Sequence, residues 1–166
     1  MSSTVLSTSV PFLFADAERR KPEGNGKMAD NMEQFVQQVL QMLLAGDDPA
    51  LAILRSQLEV AKRRPRENTG VGFFIHFDVP QEAPRLPGNP SIKFGDVIAE
   101  MEGLQHGAGF VLFIDNGVLA MLEGYTYDEP WPEKVSTYEI KYMGGKTRDL
   151  TVLQQIPGWP SQLYQS

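Results

Sequence analysis

The sequence contains no cysteine. That absence excludes disulfides, thiolate nucleophiles and thiolate-held metals, and it leaves a reducing compartment open without requiring one. No apolar run approaches the roughly 20 residues needed for a membrane-crossing helix. The mildly apolar stretch Val5 to Phe14 has no basic residues ahead of it and is interrupted by Pro11, which makes it a poor signal peptide. A cytoplasmic location is therefore expected, with the periplasm as the alternative. Positive charge is in short supply, 15 Lys and Arg against 21 Asp and Glu for a net charge of -6. General nucleic-acid binding needs cations that neutralise phosphates over a continuous surface, so no nucleic-acid or membrane partner is expected, and a basic partner is favoured. Also missing are a Gly-x-Ser-x-Gly elbow, a His-Glu-x-x-His pair and a Walker sequence.

What is present suits one globular domain: 166 residues, of which 42% are hydrophobic and 22% charged. Residues 1–27 are rich in Ser, Gly and charge, lack periodicity and carry a small positive excess, so they read as a disordered or dispensable tail. The acidic excess then belongs to 28–166, the expected folded domain, and Met28 is an alternative translation start. Asp30 with Glu33 resembles a capping box that opens a helix with apolar positions Met32, Phe35, Val36, Val39, Leu40, Leu43 and Leu44. Gly46 closes it. Asp48 and Pro49 start a second helix with the stripe Leu51, Leu54, Leu58 and Ala61, which Pro65 stops. The basic run Lys62, Arg63, Arg64 and Arg66 then complements that helix's C-terminal dipole, or else forms a local anion site. A short connection makes the pair an antiparallel hairpin whose apolar face needs a sheet.

A near repeat supplies the sheet. Gly70-Val-Gly-Phe-Phe-Ile-His-Phe-Asp78 is echoed by Gly107-Ala-Gly-Phe-Val-Leu-Phe-Ile-Asp115, with His76 standing where the second copy has Phe113. Both read as buried strands, the first with Val71, Phe73, Ile75, Phe77 and Val79 on one face and Gly72, Phe74, His76 and Asp78 on the other. The Pro80 to Pro90 loop is long enough to be a binding or a mobile loop. A strand around Phe94 to Met101 follows, its alternation broken by Gly95-Asp96. Asn116-Gly117 predicts a type I′ hairpin, and an unbroken register pairs Asp115 with Val118, Phe113 with Ala120 and Val111 with Leu122. Phe110, Leu112, Ile114, Leu119, Met121, Glu123 and Tyr125 then share one face. Val111, Phe113, Val118, Ala120 and Leu122 share the other. Both faces are apolar and need cover, one from the helices and one from the C-terminal segment through Trp159 or from a second subunit, a homodimer through a sheet face. Val135 to Tyr142 alternates like an edge strand. The expected fold is α+β, an N-terminal helix hairpin packed on an antiparallel sheet of about four to five strands.

Few residues carry recognisable chemistry. His76 shares a strand face with Asp78, the minimal arrangement for an oriented general base, although such a histidine is more often a packed residue. With His106 the pair could supply three ligands to an ion such as zinc, but the spacing demands no metal, and no cofactor is expected. Glu123 on an apolar face would be a general acid with a raised pKa, or else a carboxylate bonded near a strand end. Equivalent facing of the two repeat strands would set His76 and Glu123 on opposite sides of the sheet. Tyr125, Tyr127, Asp128, Glu129 and Trp131 form an aromatic, acidic loop stiffened by Pro130 and Pro132, which suits a basic protein surface; alternatively Trp131 folds back over the core. The Gly-x-Gly pairs run into strands and so mark close backbone approach, not phosphate loops.

The segments Gly107-Ala-Gly-Phe-Val-Leu-Phe113 and Met121-Leu-Glu-Gly-Tyr-Thr-Tyr-Asp-Glu-Pro-Trp-Pro132 resemble those of small bacterial proteins that carry no known activity. The resemblance implies a bacterial origin and lends no catalytic residue. Small size and acidity are also similar to toxin-neutralising immunity proteins. Two functions follow. The first is a non-enzymatic protein-binding module, antidote-like or regulatory, for a basic partner. The alternative is a small enzyme or ligand-binding protein with a pocket between helices and sheet, using His76, Asp78, Glu123 and Tyr125.

Overall fold

The computed structural model describes residues 30–164, so the tail 1–27 and the Met28 start lie outside the described residues. In chain order the elements are α1 (Met32–Leu43), α2 (Pro49–Val60), β1 (Lys62–Arg63), β2 (Glu67–Asn68), β3 (Gly72–Asp78), β4 (Ile92–Met101), β5 (Ala108–Asp115), β6 (Val118–Thr126), β7 (Tyr138–Tyr142) and α3 (Leu150–Gln154), with a 3-10 turn at Ser161–Tyr164. The fold is α+β. The helix hairpin lies against one antiparallel sheet of order β1-β3-β6-β5-β4-β7, with β2 also beside β3. Strands β4, β5 and β6 form a meander and β7 returns beside β4, which is Greek-key order.

The sheet has seven strands, more than the periodicity predicts, because two short pieces pair with the outer edge of β3. Lys62 lies opposite Asp78 and Arg63 opposite Phe77, and Glu67 and Asn68 lie opposite Phe74 and Phe73. The basic run is therefore not a helix terminus: Ala61 is already extended, at φ -72° and ψ 148°. Two-residue polar strands, Lys62–Arg63 and Glu67–Asn68, close a sheet edge without offering a long template for other chains.

The α1 stripe is buried as its spacing predicts, with Phe35, Val39, Leu40 and Leu43 fully shielded. Its cap is Asn31, however, and the Asp30 carboxylate instead accepts from the amides of Met32 (3.3 Å) and Val135 (3.2 Å), which ties the helix start to the segment before β7. Asp48 caps α2 as expected, accepting from the amides of Ala50 and Leu51 at 2.8 and 3.3 Å. Gln57, on the buried side of α2, donates to the carbonyls of Pro84 (2.8 Å) and Gly117 (3.0 Å) and accepts from the Leu119 amide (2.8 Å). It anchors the hairpin turn. Asn116 and Gly117 there adopt φ 53° and 79°, the positive values that a type I′ turn requires. The 80–90 loop is docked on the same turn, with Leu86 buried and its amide donating to the Gly117 carbonyl at 3.0 Å.

One departure rearranges the candidate site. Between Phe113 and Ile114 the β5–β6 register shifts: Ile114 faces Leu119, but Phe113 faces Met121, and Leu112 faces Leu122. The extra residue on β6, around Ala120, is a β-bulge, and a one-residue slip exchanges the two faces of everything beyond it. Leu122 therefore enters the core with Phe110, Leu112 and Leu119, while Met121, Glu123 and Tyr125 turn outward beside Val111 and Phe113. A second irregularity, between Phe94 and Val97 of β4, accommodates Gly95-Asp96. A Cβ on Gly95 would lie 2.1 Å from the Phe110 carbonyl oxygen, so only glycine fits there.

The C-terminal segment does not cover the second face. Trp159 packs edge to face on Phe94 (5.7 Å), a core residue, and Asp48 accepts both from the Gln154 amide group (2.9 Å) and from the Tyr164 hydroxyl. The segment thus joins the helices on the inner face. Among the described residues, nothing covers the outer face. No helix among them is long and apolar enough to cross a membrane.

Candidate functional site

The outer face is read best in rows across the strands. His76 of β3 faces Met121 of β6, Met121 faces Phe113 of β5, and Phe113 faces Lys93 of β4. In the next row Phe74 faces Glu123, which faces Val111, and in the third Gly72 faces Tyr125, which faces Gly109. His76 and Glu123 are thus diagonal neighbours on one face, not residues on opposite sides, because the bulge carried Glu123 outward. Neither ion pair nor hydrogen bond joins them among the described residues.

This placement removes the pocket expected between helices and sheet. His76, Asp78, Glu123 and Tyr125 all belong to the outer side, and the helix–sheet interface is filled by shielded side chains such as Phe35, Leu51, Leu54, Phe110 and Leu122. Asp78 does not orient His76. Its carboxylate takes a two-pronged bond from Arg64, Nε at 3.0 Å and Nη2 at 2.7 Å, and that guanidinium holds the Asp78 pKa below the usual carboxylate range. His106 lies in the loop before β5, with β6 between β5 and β3, so His76, Asp78 and His106 do not converge. Among the described residues no group of three His, Asp or Glu side chains could hold a metal ion.

Tyr125 lies across its glycine neighbour: a Cβ on Gly109 would stand 2.5 Å from the Tyr125 hydroxyl oxygen. Gly109 therefore makes room for this ring, whereas a Cβ on Gly72 would meet the Gly124 carbonyl oxygen. Burial, and then the adjacent Tyr127 hydroxyl, push the Tyr125 phenol up to about 12, so it stays protonated at neutral pH. The two rings meet edge to face at 5.5 Å.

The aromatic loop divides into anchors and an exposed part. Trp131 packs on Phe73 (5.1 Å) and Phe35 (6.3 Å), and its amide donates to the Gly70 carbonyl at 2.8 Å. It folds back over the end of the core. Glu129 accepts from the amides of Gln105 and His106, both at 2.8 Å, and these bonds hold its pKa below the ordinary glutamate value. A depressed carboxylate contributes stability that is present above its unfolded pKa and lost as pH falls through the lower folded pKa. The amide resonances of Gln105 and His106 are accordingly expected to titrate below the ordinary glutamate range in 1H–15N spectra, and Glu129→Gln to abolish the transition. Tyr127, by contrast, is 43% exposed.

Two concavities flank this arrangement. A groove of about 500 Å³ runs over His76, Met121, Phe113 and Lys93. An open cleft of about 900 Å³ lies by the far ends of β4 and β7, with Ile98, Leu104 and Tyr127 in its walls and Glu100, Glu102, Glu139 and Lys141 around it. Glu100 and Glu139 stand directly opposite each other across the strands, and Lys141 reaches only one of them, Glu100, at 2.6 Å. The cleft keeps a negative balance. Sequence reading missed these carboxylates, because pairing β4 with β7 depends on the Gly95-Asp96 irregularity; the alternation of Glu139 and Lys141 was the available signal. No family model matches the chain, and neither the curated proteins nor the solved structures yield a match.

Proposed function

We propose that the protein is a non-enzymatic binding module that holds a basic segment of a partner protein in the cleft beside Tyr127. One observation carries this reading: Tyr127 remains exposed on the wall of an acid-lined cleft, while its loop neighbours Glu129 and Trp131 fix the loop in place. A preset loop loses little entropy on binding, and an aromatic face beside carboxylates suits Lys and Arg side chains. Glu139 supports a cationic occupant, since it stands directly across the strands from Glu100 and the one lysine there, Lys141, pairs with Glu100.

A photo-crosslinking residue at position 127, introduced in the cells that make the protein, tests the reading. A net-basic protein is expected to crosslink there, to be absent when the same residue stands at the exposed, helix-side Val152, and to be lost with Glu100→Lys plus Glu139→Lys. The reading fails if position 127 captures nothing beyond the Val152 control, or if the captured protein is acidic and indifferent to the charge reversals.

A further inference from the structure

The outer face adjoins the cleft, sharing Ile98 with its wall, and its charges are arranged in a way one chain cannot use. Lys93 and Glu123 both face outward, one strand to either side of β5: Lys93 is opposite Phe113 and Glu123 is opposite Val111. Two strand spacings, about 10 Å, keep them apart within a chain. Lys93 instead lies over the Phe113 ring, 5.8 Å from its centroid, and Glu123 makes no ion pair among the described residues although Phe74 and Val111 flank it.

We propose that this face packs against the same face of a second copy, on a two-fold axis running along β5 between Val111 and Phe113. Such an axis exchanges the β4 side of one sheet with the β6 side of the other. Lys93 of each copy then enters the groove over Met121 of the other and reaches its Glu123, so the ion pair forms at two symmetry-related places. Val111 and Phe113 meet their own counterparts at the centre, and Tyr125 lies over Ile98. Asp115 at the strand end is exposed and bonded to Ser91 (2.8 Å), and the roughly 30° crossing of aligned sheets carries strand ends apart there. Strands β3, β6, β5 and β4 and their three outward rows span about 400 Å² face on, about half the roughly 800 Å² per partner of a standard interface, which suits a weak self-association. An isologous contact of this kind needs a self-complementary patch, and a Lys and a Glu on either side of an apolar strip form one. The dimer does not depend on the cleft being a binding site.

Sedimentation velocity of the full chain at about 100 μM, where a micromolar complex is largely formed, is expected to show a dimer. Lys93→Glu and Glu123→Lys should each give monomers, since each sets like charges against each other at both symmetry-related sites. An equimolar mixture of the two variants should recover a heterodimer, and the double variant a homodimer. In wild-type protein mixed from two isotope-labelled batches, carbodiimide should join Lys93 to Glu123 in peptides of hybrid mass, a readout that needs no variant. A monomeric wild type, a dimer indifferent to both single variants, a mixture that stays monomeric, or crosslinked peptides without hybrid mass would each overturn the proposal.

Discussion

Phe35→Ala is expected to lower the unfolding free energy by about 3–5 kcal/mol, the cost of removing a shielded aromatic side chain and leaving its cavity. Phe35 is fully buried and touches three other rings: Tyr138 at 4.8 Å, Phe110 at 5.5 Å and Trp131 at 6.3 Å. Those rings come from β7, β5 and the loop after β6, so one α1 side chain joins helix, sheet centre, sheet edge and loop. Urea denaturation should report the loss of stability. Near-UV circular dichroism should change as well, because Trp131 loses one of its two aromatic neighbours. The half-buried Phe113 of the outer face is the control: Phe113→Ala should cost distinctly less in a monomeric background such as Lys93→Glu.

Arg148→Met is expected to cost about as much, roughly 3–5 kcal/mol, for an electrostatic reason: breaking a buried ion pair from one side leaves an uncompensated charge. The Arg148 side chain is 6% exposed and that of its partner Asp96 is 21%. Its guanidinium donates twice to Asp96, both at 2.9 Å, and once to the Ala45 carbonyl at 2.6 Å, and it lies over the rings of Tyr142 (5.3 Å) and Phe94 (5.9 Å). One side chain thus ties the chain after β7 to the irregularity in β4 and to the α1–α2 connection. Adding Asp96→Asn removes the stranded charge, so the double variant should be more stable than Arg148→Met alone. A double-mutant cycle by urea denaturation would show that non-additivity.

Both predictions concern contacts between residues far apart in the chain, and that distance separates what was legible from what was not. The α1 stripe, the Asp48 cap with Pro49 and the Asn116-Gly117 turn are local codes, written within a few residues by spacing, side-chain reach and allowed φ, and the structure reproduces them. The strand repeat was legible for the same reason: Phe73, Ile75 and Phe77 are buried as alternation requires and His76 is not, although Val71, just before the strand, is 50% exposed. Trp131 was ambiguous, since an aromatic residue in an acidic loop reads alike whether it anchors a partner or caps a core. Only the position of Phe35 and Phe73 beneath it decides the matter.

The bulge at Ala120 is the plainest case. Nothing in Val118 to Thr126 announces it, because an unbroken ladder would also leave apolar residues on both faces. Leu122 enters the core because it meets Leu112 there, and that contact sends Glu123 and Tyr125 outward to join His76. The C-terminal segment followed the same logic, choosing the inner face where Phe94 and Asp48 hold it. The amino-acid order thus decided by itself where the two long helices, the central strands and the Asn116-Gly117 turn occur, since those depend on neighbours in the chain. Which face each side chain occupies, which sheet edges are closed and which surface stays open were settled only by packing, because the partners that decide them lie on other elements, beyond the reach of local spacing.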